Sequence, residues 1–423
     1  MLSVVISHKN RIEQLQRCIN CLINQKTKYE YEIIVVDGGS YKSSIEILKC
    51  LKEKNKKIKI YFFNDEKFNV SKYRNYGVKR SQGKIITFLD ADMLVADDFV
   101  DIICKKYLYK SNIVLVHTAY GFRISKKDKL SDIFDKITSE NIKDIIKIME
   151  FSDYRDSAME FYGENFKSCP APWVYGWSGI ISISKELLIK SGLFDEDFEG
   201  WGSEDTDLAY RLWNQKGKFI HEKDAFGIHV AHESNTIKKE NQNYLNRLFL
   251  YSKYKTLETE LYAYLTGGSI NNFLLICQKI HLGALNPIYT SQQINIINKM
   301  ICNKRSICVG LDSCQEILRL NFTHYLILNN NTKRIIDTYK NNVKYSKRLG
   351  LITDYKNEYF DVCFIFDSYN YLPEELYKIF IEEMKRISKK VYQIKTKGFI
   401  PLIYNKIGKF EKNEINKYEE LYF

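Results

Sequence analysis

A chain of 423 residues with 45% hydrophobic content can bury a substantial core and reads as an ordinary globular protein of about two domains. Its longest apolar runs fall short of the roughly 18 residues needed to cross a bilayer, and Met1 leads almost directly into SVVIS; the expectation is a cytosolic protein with neither signal peptide nor membrane span. The net charge of +12, from 64 Lys and Arg against 52 Asp and Glu, favours anionic partners and is compatible with peripheral contact with an anionic membrane, but no basic cluster dominates any segment and no nucleic-acid partner is expected.

The first hundred residues alternate strand and helix: SVVIS, a helix from Arg11, EIIVVD, a helix from Ser43, KIYFF, a helix around Ser71 to Ser81, and KIITFLD. Near-continuous apolar strands separated by helices predict right-handed βαβ units and a mainly parallel sheet covered on both faces, an α/β fold. The ten cysteines lie scattered in apolar segments and read as reduced thiols; Cys18 and Cys21 form a C-x-x-C inside an amphipathic helix, with no second pair at metal-site spacing. From Asn112 to about Phe166 the pattern gives a strand and polar helices, then a strand-like run in APWVYGWSGIISIS. A helix, a glycine- and acid-rich turn and a second helix entered at Glu204 follow, and helical spacing continues after HVAHESN to about residue 300. A second alternating module begins near Met300.

Ligands of such sheets bind beyond the carboxyl ends of the strands. Three strand ends carry polar residues there: Ser7-His8, Asp37-Gly38-Gly39-Ser40, and Asp90-Ala91-Asp92. A buried strand that stops on two aspartates one residue apart suits a divalent cation held by oxygen ligands.

SVVISHKNR, EIIVVDGGS, YRNYGVKRSQGKIITFLDADM and GWGSEDTDLAYRL, in that order, resemble a nucleotide-sugar-dependent GT-A fold glycosyltransferase of family 2, the last motif being similar to the galactosyltransferase-type region of chondroitin-polymerase-like enzymes. The resemblance covers roughly residues 1–240. It implies a UDP-sugar donor bound by Ser7, Asp37, Arg74, Asp90, Ala91 and Asp92, and Mn²⁺ or Mg²⁺ held by Asp92 and Asp90 with His232 as third ligand, His229 being the alternative. By the same resemblance Asp205 is the general base and Glu204 binds the acceptor, with Trp201 and Gly202 in an acceptor-side loop. These acids also read as helix N-terminal residues behind Ser203 as N-cap, and Asp207 fits that plainer role better. Trp173 and Trp177 read as core residues. His8-Lys9 and Gly38 depart from the family's usual pattern.

Residues 305–395 resemble the Rossmann-type core of a class I methyltransferase, but VGLDSC carries one glycine and LNNN no acid, so cofactor binding is not expected of it. The expected division is a glycosyltransferase domain at 1–240, a helical connecting region at 241–300 and a degenerate methyltransferase-like domain at 301–423. The implied function is transfer of a hexose or N-acetylhexosamine to a hydroxyl of a surface glycan, with inversion. A peptide acceptor of the bacteriocin type and a decayed binding or scaffold protein are the alternatives.

Overall fold

Leu2–His8 (β1) and Tyr31–Asp37 (β2) are almost wholly buried strands, because each is apolar toward both faces of its sheet and helices cover both. Val4, Ile6, Ile33 and Val35 share one core with Leu15, Cys18, Ile19 and Leu22 of helix Ile12–Ile23 (α1). On the other face, Val5 and Val36 meet Gly77 of helix Val70–Arg80 (α3). Between them run helix Lys42–Lys54 (α2) and strand Ile58–Phe62 (β3).

In this computed structural model the described residues are all except 109, 123–135, 150, 231–235, 266–268, 273, 276–288, 312–313, 329, 341, 367–371, 373 and 395–423. The chain divides into two compact units, residues 1–250 and 251–423.

The first unit continues with Ile85–Leu89 (β4), Met93–Val95 (β5), helix Phe99–Tyr107 (α4) and Ile113–Tyr120 (β6). Helices Ile142–Met149 (α5) and Asp156–Tyr162 (α6), strand Ile180–Ser184 (β7) and helix Lys185–Lys190 (α7) follow. Helix Glu204–Asn214 (α8), strand Lys218–His229 (β8) and helix Thr236–Tyr254 (α9) come last. The eight strands take the order β3-β2-β1-β4-β7-β6-β8-β5. The β3-β2-β1-β4 half is parallel, in register from Leu2↔Tyr31 to His8↔Asp37, so the ends of β1 and β2 stand side by side. β7 is antiparallel to both β4 and β6, and β5 is antiparallel to β8. This is a mixed, largely parallel GT-A-like sheet.

The strand pattern does not announce β8. Its first half, Lys218 to Asp224, interleaves charged and apolar residues, and its pairing with β6 shifts register between His117 and Ala119. That shift breaks the period-two signal by which a strand is recognised.

The second unit holds helices Leu257–Tyr264 (α10) and Ser291–Ile301 (α11), strands Ser306–Val309 (β9), His324–Ile327 (β10), Lys344–Lys347 (β11), Val362–Ile365 (β12) and Val391–Gln393 (β13), and helices Cys314–Arg319 (α12), Asn330–Tyr339 (α13) and Glu374–Ile387 (α14). Its sheet is parallel throughout, in the order β11-β10-β9-β12-β13. Ile294 and Ile297 of α11, within the stretch expected to connect the two modules, and Ile301 just past it pack into this unit's core with Phe322, Tyr325 and Phe364. Glu260 of α10 is fully buried and accepts backbone N–H bonds from Leu349, Gly350 and Leu351 at 2.5, 2.9 and 2.7 Å, which fixes the loop after β11.

Close approach of α3 to the sheet sets a test. A Cβ at Gly77 would lie 2.4 Å from Val5 Cγ1, a fully packed side chain. Gly77→Ala gains helix propensity but overpacks the interface, with an expected net loss of about 1–2 kcal/mol in urea unfolding; equal or greater stability would show that the helix can move off the strand.

Candidate functional site

β4 leaves the core at Leu89, and the next three residues turn: Asp90 N–H donates to Gly179 O at 2.9 Å and Met93 N–H to Asp90 O at 3.1 Å. Asp92 is 1% exposed, Ala91 is buried and Asp90 is half-buried, so the turn holds two carboxylates near the dry interior. Burial, with the charge of Asp92, raises the Asp90 carboxyl above its usual range, and Arg74 works against the rise.

Arg74 joins the strand-end acids to α8. Its Nη2 donates to Asp90 Oδ1 at 2.9 Å and its Nη1 to Glu204 Oε1 at 3.2 Å, while the guanidinium lies 5.2 Å from the Phe194 ring centroid. α3 carries Arg74 there with only 4% of its surface exposed. Burial first, and then Asp205, push the Glu204 carboxyl up to about 7. Asp205 is held separately: its Oδ2 accepts from Ser178 N at 3.1 Å and Oγ at 3.4 Å, and its Oδ1 from Thr206 N at 2.7 Å. Ser178 and Gly179, adjacent in sequence, thus tie Asp205 to the Asp90 turn.

Ser203 stands at the N-cap of α8 as expected but does not cap it with its side chain. Its backbone is left-handed (φ 69°), and its hydroxyl donates to Asn243 of α9 at 2.9 Å. Asp207 is fully buried and paired with Arg211 at 2.7 and 2.9 Å, one turn along the same helix. Trp201 is 52% exposed in the glycine loop before α8, whereas Trp173 is wholly buried against Tyr210 and half-buried Trp177 lies under the Arg155 guanidinium.

At the neighbouring strand ends, Asp37 faces inward. It is fully buried; Oδ2 accepts from His8 Nδ1 at 2.8 Å and Ser40 Oγ at 2.5 Å, and Oδ1 from the backbone of Gly39 and Ser40 at 3.1 and 2.9 Å. His8 Nε2 accepts from Arg11 N–H at 3.1 Å, so the ring proton sits on Nδ1 and points at Asp37. Burial alone would raise Asp37, but these donors hold its carboxyl below the usual range. Ser7 lies half-buried at the end of β1. A Cβ at Gly38 would come 2.4 Å from the Tyr73 ring, which accounts for a glycine where the family commonly has an acid.

Arg11 was not singled out in the sequence, although it closes the SVVISHKNR motif. Its Nη1 donates to Asp92 Oδ2 at 2.6 Å. His229 Nε2 lies 3.8 Å from the same oxygen, its ring stacked on Phe122 with centroids 4.4 Å apart, and burial lowers its basicity. His232 lies outside the described residues. No group of three His, Cys, Asp or Glu close enough to hold an ion occurs among the described residues. The donor set nonetheless suits a hard divalent cation: two crowded carboxylates whose mutual repulsion a positive charge would relieve, with an imidazole beside them. The buried C-x-x-C thiols of α1 are raised by burial and read as core residues.

The mixed, largely parallel sheet with helices on both faces is GT-A-like. Residues 3–167 match the glycosyl transferase family 2 model and residues 163–233 the N-terminal domain of galactosyltransferase, so the segment 3–233 is of glycosyltransferase family 2, galactosyltransferase type. The chondroitin synthase of Escherichia coli is 30% identical over 242 residues, covering 54% of this chain and 34% of that protein. Validoxylamine A glucosyltransferase of Streptomyces hygroscopicus subsp. jinggangensis is 26% identical over 274 residues, covering 64% of this chain and 65% of that protein. S. aureus TarS 1-349 in complex with UDP-GlcNAc is 15% identical, with a TM-score of 0.46 over 71% of this chain and 80% of that one. The chain spans about a third of the E. coli chondroitin synthase and 23% of that of Pasteurella multocida.

The inward-facing Asp37 has a pH signature. A depressed folded-state pKa adds stability above the unfolded carboxylate range and loses it as pH falls through the folded value. Asp37→Asn is expected to cost about 1–3 kcal/mol at pH 7 and to flatten the acid limb: between pH 5 and 3 the variant should lose less stability than the parent. Parallel acid limbs in urea unfolding would show that Asp37 gains nothing from its partners.

Proposed function

We propose that this chain transfers a hexose or N-acetylhexosamine from a UDP-sugar to a hydroxyl of a growing surface glycan, such as capsule or lipopolysaccharide, with inversion at the anomeric carbon. The observation that carries the reading is the Arg74 bridge, which holds the donor-side acid Asp90 and the acceptor-side acid Glu204 on one guanidinium. Support also comes from relatives whose names denote glycan synthesis, among them a chondroitin synthase and the Campylobacter jejuni GalNAc(5)-diNAcBac-PP-undecaprenol beta-1,3-glucosyltransferase, the latter 27% identical over 263 residues.

In this reading Asp92 and Asp90, with His232 or His229, would hold Mn²⁺ or Mg²⁺, which when bound supplies positive charge against the leaving diphosphate. Ser7, Ala91 and Arg74 border the donor. Glu204 accepts hydrogen bonds from the acceptor sugar. Asp205, steadied through Ser178 and Thr206, takes the proton from the acceptor hydroxyl as its oxygen attacks the anomeric carbon from the side opposite the diphosphate. Trp201 and Gly202 border the acceptor, and closure of their loop excludes water. The second unit serves acceptor binding or assembly. No helix among the described residues is long and apolar enough to cross a membrane, and the net charge of +12 fits work beside an anionic surface.

Two variants separate the roles. Asp92→Ala should lose metal-dependent UDP binding in calorimetry, whereas Asp205→Asn should keep it and lose transfer by about 10²–10⁴-fold; equal loss of binding in both would sink the assignment, and a parent without turnover or UDP binding would favour a scaffold.

Glu204 supplies a pH test. With its carboxyl raised to about 7 by burial, it is protonated below that pH and charged above it. The acceptor KM should therefore fall as pH rises through about 7, and Glu204→Gln should abolish the trend. A parent and variant with the same acceptor KM profile would remove Glu204 from acceptor binding.

A further inference from the structure

We propose that Lys239 binds the diphosphate of the donor, presented by a polar stripe of α9 that forms a further wall of the site. The inference rests on the UDP-sugar reading above. Both matched family segments end by residue 233, so this helix lies outside them.

Lys239, Gln242, Asn243 and Asn246 are spaced three and four apart and share one face of α9. That face sits directly on the glycine loop before α8. Asn246 Nδ2 donates to Glu199 O at 2.9 Å and Gly202 O at 2.8 Å, with Trp201 O at 3.4 Å, and Asn243 takes the Ser203 hydroxyl. The fit leaves no room for a side chain at either glycine: a Cβ at Gly202 would lie 2.5 Å from Asn243 Oδ1, and one at Gly200 2.8 Å from Gln242 Cγ. Both glycines have positive φ, 97° and 68°, so the tight packing and the backbone conformation demand the same residue.

One turn up from Asn243, the Lys239 ammonium lies 5.3 Å from the Trp201 ring centroid. An exposed helix lysine would extend to water. This one is half-buried, and among the described residues it makes no salt bridge. The charges that act on it are Arg11, Asp92 and Asp90, the cluster at the end of β4; burial and Arg11 lower its affinity for a proton and the two aspartates restore part of it. Arg11, bonded to Asp92, and Lys239, set on the Trp201 ring of the loop that leads into Glu204, thus both lie in the field of one acid pair. A diphosphate carries more negative charge than the cation held by those acids can neutralise alone, and a partly desolvated ammonium on an aromatic face is a strong donor to phosphate oxygen.

The test titrates UDP and UMP into the full chain with Mn²⁺ present, using the parent, Lys239→Gln and Lys239→Arg. Removing a charge-assisted contact to the outer phosphate should reduce UDP affinity roughly tenfold in Lys239→Gln while UMP affinity changes much less, so that the UDP-to-UMP ratio falls; Lys239→Arg should restore the ratio. An unchanged ratio, whether because neither affinity moves or because both fall together through a structural effect, overturns the proposal. If the parent itself binds neither nucleotide, the UDP-sugar reading fails and this inference with it. If the parent binds UDP and transfers sugar while Lys239→Gln keeps the parent's ratio, only the role of Lys239 is lost.

Discussion

The two bonds of Arg74, to Asp90 at 2.9 Å and to Glu204 at 3.2 Å, organise the first unit's candidate site. Buried carboxylates are costly unless a cation meets them, and removing one partner of such a group costs more than the group contributes whole. Here one guanidinium satisfies two acids that arrive from different parts of the chain, one closing a parallel strand and one opening a helix more than a hundred residues later. Arg74 and Asp90 belong to the family 2 segment and Glu204 to the galactosyltransferase-type segment. The bridge therefore registers the two segments against each other at the point where donor and acceptor chemistry would meet. Phe194 under the guanidinium and Gly179 beside Asp90 complete the seat.

The parallel half of the sheet was legible because its strands are apolar on both faces and its helices begin within a residue or so of where their patterns do. Ile12, Lys42 and Val70 open helices expected from Arg11, Ser43 and Ser71. The start of α8 at Glu204 was equally clear, since three acids in a first turn suit the helix dipole. Charge did the opposite for β8: its pattern is dominated by Lys, His, Glu and Asp, and it becomes a strand through β6 and β5 on its two sides. Side-chain partners were the least legible layer. Nothing local says that Arg11 reaches Asp92, or that Ser203 turns from its own helix to Asn243, because both pairings are made by chain segments far apart in sequence.

The departures from the family pattern at His8 and Gly38 each have a local partner. His8 and Asp37 are register partners at the ends of β1 and β2, and they bond to each other with Ser40 closing the network. Tyr73 fills the space over Gly38 and donates its hydroxyl to Asp65. The Asp37 carboxylate takes part in this network at the strand ends.

Asn246 reaches three carbonyls of the loop ahead of α8 from a helix that begins after both recognisable segments have ended. A fragment trimmed at the last familiar motif would retain every acid of the candidate site, yet the peptide groups of the loop that leads into Glu204 and Asp205 would lose their Asn246 partner. The working border of this module runs past its signature, and variation in that helix can retune the loop while the motifs stay untouched.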